Sequence, residues 1–303
     1  MSDTKFDVIV IGAGVTGLTA AKLAAQSGLA VANIEALLFG GLVININELD
    51  GEPHGSGTDL ASNLMMEVSD LGVASLSETV TALERDGDVL SVVTDAGRHR
   101  ARAVIVASGA RLKRLGIPGE AEFENRGVSQ CADCDGPMFK GEDVVVVGGG
   151  DSALQEALVL ANFCRRVHLV HRGTQFRARR HLVDAIAAHN NIQPVWNAVA
   201  EEVLGAQMVT KVRVRSVGNG ATTEIPCTGF FAYVGLAPNC EFAPPEIKRD
   251  ANGCLTVDSS LHTAMDGVFA AGAVRAGYGG MLTDAMADAQ TAAASALARL
   301  GRQ

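Results

Sequence analysis

Cys131 and Cys134, in the stretch CADCDG, are the one place in this 303-residue chain where two cysteines come close together. Two thiols at that spacing can hold half of a zinc site, close a structural disulfide or exchange electrons with another disulfide. Zinc needs two further thiols or histidines at ligand spacing, and the sequence has no second C-x-x-C. A structural disulfide does not suit a reducing compartment, and six cysteines in a chain this long are not a disulfide scaffold. As a redox pair, a C-x-x-C loop that opens onto a helix depresses one thiol's pKa and offers a thiolate to attack a disulfide. Asp135 follows at once, placed to move protons as thiolates form and leave. Cys164, Cys227, Cys240 and Cys254 are scattered and read as small buried hydrophobes.

A dithiol works only if something supplies electrons, and two stretches are patterned to hold nucleotides. FDVIVIGAGVTGLTAAKLAAQSGLAVANIEA reads as strand, tight turn, helix, strand. Gly12 permits the turn, Gly14 lets a pyrophosphate approach the backbone, and Gly17 lets the helix close on the strand. The helix is expected from about Val15 to Ser27, with Gly28 as its stop. The next strand ends in Glu35, a carboxylate suited to a ribose diol. EDVVVVGGGDSALQEALVLANFCRRVHLVHRG repeats the pattern, with Gly148, Gly150 and Ala153 in the three positions. Asp151 and Ser152 belong to the same expected cofactor-binding segment. Its second strand ends in His171 and Arg172, with Arg177 shortly after. A cationic end disfavours a bare diol and favours a ribose 2′-phosphate, although the run HRGTQFRARR also reads as a solvated face. The unlike ends suggest FAD in the first unit and NADPH in the second, an electron relay. AVIVASGA (103–110), with Gly109, and GVFAAGAV (267–274), with Gly272 and Ala273, read as buried strands ending in small-residue turns. Backbone can come close to a flavin at such turns.

The combination GAGVTG, LGIPGE, CADCDG, GGGDSALQEA, HRGTQFR and GVFAAGA resembles the low-molecular-weight, bacterial-type thioredoxin reductases over essentially the whole chain. A C-x-x-C ahead of the second fingerprint is that family's mark. The glutathione-reductase-like class carries its redox cysteines just after the first fingerprint, where this chain has none. The resemblance implies a homodimer, FAD and NADPH domains that rotate against each other, and thioredoxin or a thioredoxin-like protein as acceptor. It implies that Cys134 faces the flavin and takes its electrons, that Cys131 attacks the partner's disulfide, and that Asp135 is the acid/base. Gly40 and Gly41 match the family's FAD loop, and Arg172 and Arg177 its 2′-phosphate ligands. Departures are as plain. The family's AGD is AGA here, with Ala273, and its Arg-Gln pair is missing from GYGGMLTDA. Leu42 stands for the usual Gln, Gly51 for an Asn and Gly173 for the second Arg of His-Arg-Arg. CATC has become CADC, and the added Asp133 is expected to raise the thiol pKa values.

To position these residues the fold must be α/β, with two Rossmann-like three-layer ββα/βαβ nucleotide-binding domains. The FAD domain is expected to be discontinuous, 1–113 and 245–303, with the NADPH domain, 114–244, inserted and carrying the dithiol. RLGIPGE and LAPNCEFAPPE are Gly/Pro-rich crossovers that could act as a hinge. Residues 73–103 alternate, with turns at ERDGD and DAGR. An Ala-rich helix is expected from about Met281 to Leu300, and NLMMEV, with Leu60 and Leu71, reads as a core helix face. Hydrophobic residues at 48% and charged residues at 19% describe a globular chain. A net charge of −9 and a pI near 5.3 argue against nucleic acid, and 4% aromatics against base-stacking platforms. The stretch from Val8 to Ala25 is broken by three glycines and Lys22, so no membrane span is expected. MSDTKFDVIVIG does not read as a signal peptide, which points to the cytoplasm. His54, His99, His181, His189 and His262 lack ligand spacing. The expected function is an NADPH-dependent FAD flavoprotein disulfide reductase. A flavin-dependent dithiol oxidase using oxygen, and a catalytically degenerate flavoprotein or regulatory module, are the alternatives.

Overall fold

The computed structural model describes residues 5–46, 49, 55–87 and 89–302; Gly51 and His54 lie outside them. The chain divides into two compact units, Met1–Arg111 with Ala237–Gln303, and Leu112–Leu236. The breaks fall ahead of the 113 and 244 read from the crossovers. Asn239 already binds back to the first unit: its N–H donates to Gly109 O at 3.0 Å and its Oδ1 accepts from Arg111 at 2.7 Å.

The first unit opens with β1 (Lys5–Ile11), α1 (Val15–Gln26), β2 (Val31–Glu35), α2 (Gly57–Asp70) and β3 (Ala74–Ser77). It continues through β4 (Val80–Asp86), β5 (Val89–Thr94) and β6 (Arg98–Val106). The sheet order is β3-β2-β1-β6-β5-β4, parallel from β3 to β6 and antiparallel beyond. Val8 to Ile11 are all buried because layers cover both faces of β1. Val8 and Val10 face α1 and α2, and Ile9 and Ile11 face the opposite core. Gly12 has φ of +105°, and a Cβ there would strike the Ala107 backbone after β6. A Cβ at Gly17 would strike the Gly12 carbonyl. Only glycine therefore lets α1 begin directly against the strand ends. α2 starts with a reciprocal cap in which Asp59 N–H donates to Ser56 Oγ and Ser56 N–H to Asp59 Oδ2, both at 3.1 Å. Leu60, Leu64 and Val68 recur every four residues and are buried. Met66 and Leu71, read as core from the sequence, are exposed: Met66 falls off that stripe, and Leu71 lies just past the end of the helix.

β7 (Ala110–Leu112) leads into the second unit, which holds β8 (Val128–Ser129), α3 (Ala132–Asp135), β9 (Asp143–Gly148), α4 (Asp151–Ala161) and β10 (Arg166–Val170). α5 (Arg180–Ala188), β11 (Ile192–Val195), β12 (Ala198–Gly205), β13 (Val209–Ser216), β14 (Thr222–Pro226) and β15 (Gly229–Tyr233) complete it. A parallel sheet of order β11-β10-β9-β15-β8 forms its middle layer. Val144, Val146, Leu169 and Phe231 point into the helical layer with Leu154, Leu160 and Ile186. Val145, Val147, Val170 and Phe230 point the other way, onto the antiparallel sheet β12-β13-β14. The period of two in VVVV thus serves two cores at once.

The chain returns through β16 (Leu236–Pro238), which pairs with β7. β17 (Val268–Ala270) runs parallel to the Val104–Val106 half of β6, whose other half pairs with β5. α6 (Leu282–Arg299) then lies on α1, where Ala20, Ala21 and Ala24 meet Ala289, Ala292 and Ala296. Among the described residues no helix is long and apolar enough to cross a membrane. Phe231 is fully buried and meets Phe139 edge-on with ring centroids 5.5 Å apart. Phe231→Ala should cost about 3–5 kcal/mol of stability, read by chemical denaturation; a loss under about 1 kcal/mol would show that this core collapses around the cavity.

Candidate functional site

Cys131 and Cys134 are joined as a disulfide across α3. Cys131 is the residue before the helix, and its Sγ accepts the Cys134 N–H at 3.1 Å. Cys134 is exposed, whereas Cys131 is half-buried. Cys131 lines a polar cavity of about 160 Å³ with Lys113, Glu120, Ser129 and Asp135. Asp135 is tied to it: Ser129 Oγ donates to Asp135 Oδ2 at 2.6 Å and accepts the Cys131 N–H at 3.1 Å.

The sequence reading missed a second carboxylate, Glu156 on α4. Its Oε2 accepts the Ala132 N–H at 2.9 Å and the Tyr233 O–H at 3.0 Å. Burial pushes this carboxyl above the ordinary range and the Asp133 charge adds to that, against the pull of the two donors. The phenol of Tyr233 is raised well above its usual value, first by burial and then by the carboxylate. Glu156 stands three residues after buried Ala153 and four before buried Leu160. An acid on the inward stripe of α4 was the available signal. Two of the remaining thiols are held far from thiolate: burial pushes Cys164 up to about 11 and Cys227 to about 12. Cys240 is buried, and Cys254 is half-buried where full burial was expected. Among the described residues no group of three His, Cys, Asp or Glu could hold a metal ion.

Gly148 to Ala153 line a cavity of about 400 Å³ together with His171, Arg172, Arg177 and Tyr233. Gly150 precedes α4 without a capping side chain, and a Cβ on it would meet nothing within 4 Å. The first N–H groups of α4, at Asp151 and Ser152, therefore start beside open space. Ala153 is buried against Gly148, its methyl filling the gap that Gly17 leaves in the other unit. The basic run divides in two. Arg179 binds Asp151 at 2.6 Å and Arg180 binds Asp184 at 2.9 Å. Arg172 and Arg177 are exposed at the cavity, and no side-chain partner is seen for either among the described residues. His171 is buried, donates to Gly148 O at 2.9 Å and packs on Phe176 and Trp196. It braces the glycine turn. Uncapped N–H groups, open space and two unpaired guanidiniums fit a phosphate-bearing dinucleotide.

In the first unit Gly14 precedes α1, again without a side-chain cap. A Cβ on Gly14 would sit 3.8 Å from Gly40 O and 4.0 Å from Gly41 Cα, so backbone alone walls the space. The Gly40 N–H donates to Ala13 O at 2.6 Å and fixes that approach. Glu35 lies at the turn, accepting the N–H groups of Ala13 at 2.9 Å and Leu37 at 3.2 Å. Asn239 holds the Gly109 turn through Gly109 O and Ser108 O. A strand, a glycine turn, a helix start and a carboxylate after the second strand fit a nucleotide diphosphate. Gly272 and Ala273, on the turn after β17, offer backbone and a methyl group.

A family model described as pyridine nucleotide-disulphide oxidoreductase matches residues 6–296. The chain belongs to that family. Within it, the thioredoxin reductase of Treponema pallidum is 37% identical over 278 residues, 90% of each chain. The structure of Lactococcus lactis thioredoxin reductase matches with a TM-score of 0.93 at 34% identity, covering 98% of this chain and 99% of that one. T. acidophilum thioredoxin reductase gives 0.90 at 30%, covering 97% and 98%. The chain is a disulfide oxidoreductase of this family, with its cysteines closed as the disulfide.

The turn of Gly272 and Ala273 in this oxidoreductase is anchored by an acid from α6. Asp288 on α6 is buried and accepts the Gly272 N–H at 2.8 Å. Arg275 closes on it through Nε at 2.5 Å and Nη2 at 2.7 Å, and Asp288 in turn raises the Arg275 pKa. Gly279, in the stretch that lacks Arg-Gln, lies against the carboxylate of Asp284, which caps Met281 N–H at 3.0 Å and would have to move to admit a side chain there. Arg275→Met would leave Asp288 buried beside one N–H donor. The expected loss is about 3–5 kcal/mol in chemical denaturation near neutral pH; a variant as stable as the parent would rule out the pair as the anchor of this turn.

Proposed function

We propose that this oxidoreductase reduces a thioredoxin-like protein disulfide with electrons from NADPH, through FAD and the Cys131–Cys134 pair. The observation that carries this reading is the closed C-x-x-C packed on α4, the helix whose start bears the second glycine turn. The thioredoxin reductases it resembles over nearly their whole length support the choice of acceptor. Gly12, Gly14, Gly17, Glu35, Gly40, Gly41, Gly109, Gly272 and Ala273 would hold FAD, within the unit 1–111 and 237–303. Gly148, Gly150, Asp151, Ser152, Ala153, His171, Arg172 and Arg177 would hold NADPH, within 112–236. When bound, the two cofactors supply two-electron hydride chemistry. A homodimer working in the cytoplasm belongs to the same reading.

The chain's own residues then perform a disulfide exchange. Cys134, the exposed sulfur, accepts an electron pair as the Cys131–Cys134 bond opens, and Cys131 leaves as a thiolate. Cys131 attacks one sulfur of the partner's disulfide, and a mixed disulfide forms as the partner's other sulfur departs. Asp135, held by Ser129, relays a proton from solvent to that sulfur. Cys134, as a thiolate, next attacks Cys131; the original bond re-forms, the partner's second sulfur departs and takes a second proton from solvent, and the partner leaves as a dithiol. Two electrons have moved, and the pair is oxidised again.

Cys134→Ser should abolish NADPH-dependent reduction of a protein disulfide while the flavin is still bleached by NADPH. Near-parent turnover would refute the assignment. Arg172→Ala with Arg177→Ala should weaken NADPH roughly a hundredfold and leave NADH nearly unchanged, since only the 2′-phosphate loses its charged partners. Equal losses for the two nucleotides would exclude that pairing. The visible spectrum of the purified protein, before and after anaerobic NADPH, tests both cofactors together. A colourless protein would favour the regulatory module, and substrate-dependent peroxide release would favour the oxidase.

A further inference from the structure

Glu156 joins the helix of the second nucleotide turn to the dithiol loop. The N–H it accepts belongs to the peptide between Cys131 and Ala132. A Cys131 thiolate has few donors to draw on. The Cys134 N–H already points at Cys131 Sγ at 3.1 Å, and the Ala132 N–H next to it is taken by the carboxylate. Asp133 and Asp135 stand on the same short helix. The groups acting on Glu156 are Asp133 from α3, Tyr233 from β15 and the Ala132 amide, with no cation among them.

We propose that Glu156 is a positioning residue that keeps the Cys131–Cys134 pair strongly reducing: its carboxylate occupies the Ala132 N–H and adds negative charge beside the sulfurs, which disfavours the thiolate of the reduced pair. A dithiol whose thiolate is well stabilised is a poor reductant, because the reduced state is then the favoured one. Withholding a donor and adding an anion moves the balance the other way. Tyr233 completes the arrangement by holding the carboxylate on its second side. This role deepens the reading above, and rests on it only in that Cys131 and Cys134 are the working pair.

The test uses the full chain with glutathione buffers and iodoacetamide, and neither nucleotide nor protein acceptor, so it stands or falls apart from the NADPH and thioredoxin assignments. In the glutathione equilibrium two thiols are oxidised to one disulfide. Their two electrons and two protons appear on Cys131 and Cys134, and above the thiol pKa one proton goes to solvent instead. Glu156→Gln keeps the shape and an acceptor for both donors but removes the charge. The alkylation profile should then move about one pH unit lower. At pH 9 the equilibrium should shift up to about tenfold toward the dithiol, roughly 30 mV for this two-electron couple. Glu156→Asp, which keeps the charge, should stay within a few tenths of a pH unit of the parent. An unmoved profile in Glu156→Gln, or equal shifts in the Gln and Asp variants, would overturn the proposal.

The melting temperature supplies a second readout. A carboxyl raised in the folded state adds stability below its unfolded pKa and loses it as pH rises through the folded value. The parent should therefore lose ground to Glu156→Gln from the ordinary glutamate range upward. A constant difference across that range would show that Glu156 carries no such charge.

Discussion

Both units depend on one constraint: a helix must begin against the end of a strand with no side chain between them. In the first unit Gly12 and Gly17 meet backbone to backbone beside Ala107. In the second, Gly148 meets the methyl of Ala153 and the carbonyl of Tyr233. In the second unit that contact starts the helix beside open space, where a phosphate can take its first N–H groups; in the first the same turn faces the backbone of Gly40 and Gly41. The surrounding sheets, buried on both faces, hold the strand ends still. Polar groups gather at both junctions: Glu35 on the first, and His171, Arg172 and Arg177 around the second.

The dithiol is attached to the second junction through Glu156, so one helix carries the nucleotide turn at its start and the redox loop one turn further on. The balance of charge there is uneven. Three carboxylates, Asp133, Asp135 and Glu156, lie near two sulfurs, while the guanidiniums gather at the mouth of the neighbouring cavity. Anions suit a pair that must give electrons away, and cations suit the phosphate of an incoming nucleotide. In the other unit the balance is closed internally, with the Arg275–Asp288 pair standing beside the turn of Gly272 and Ala273.

Elements with strong local signatures were legible in the chain. The helix stop at Gly28, the turn at Gly87, the final Ala-rich helix and the alternation of VVVV all follow from backbone sterics and side-chain period. What failed was depth. Met66 and Leu71 are as apolar as their buried neighbours, yet the helical phase turns Met66 to solvent and Leu71 falls beyond the last turn of the helix. The breaks between units moved because Asn239 reaches back to Gly109, a contact with no local mark in LAPNCEFAPPE.

By itself the sequence determined the chemistry that was possible: two glycine turns, an acid after one and cations after the other, and a C-x-x-C between them. These are short-range patterns, and their spacing carries the physics. The tertiary structure decided which groups act. It tied Arg179 and Arg180 to Asp151 and Asp184 and left Arg172 and Arg177 at the cavity. It turned His171 inward to brace Gly148. It brought Glu156 and Tyr233, 25 and 102 residues beyond Cys131 in the chain, to the dithiol loop. Charge pairing and burial are set by neighbours in space, and no spacing along a chain records them.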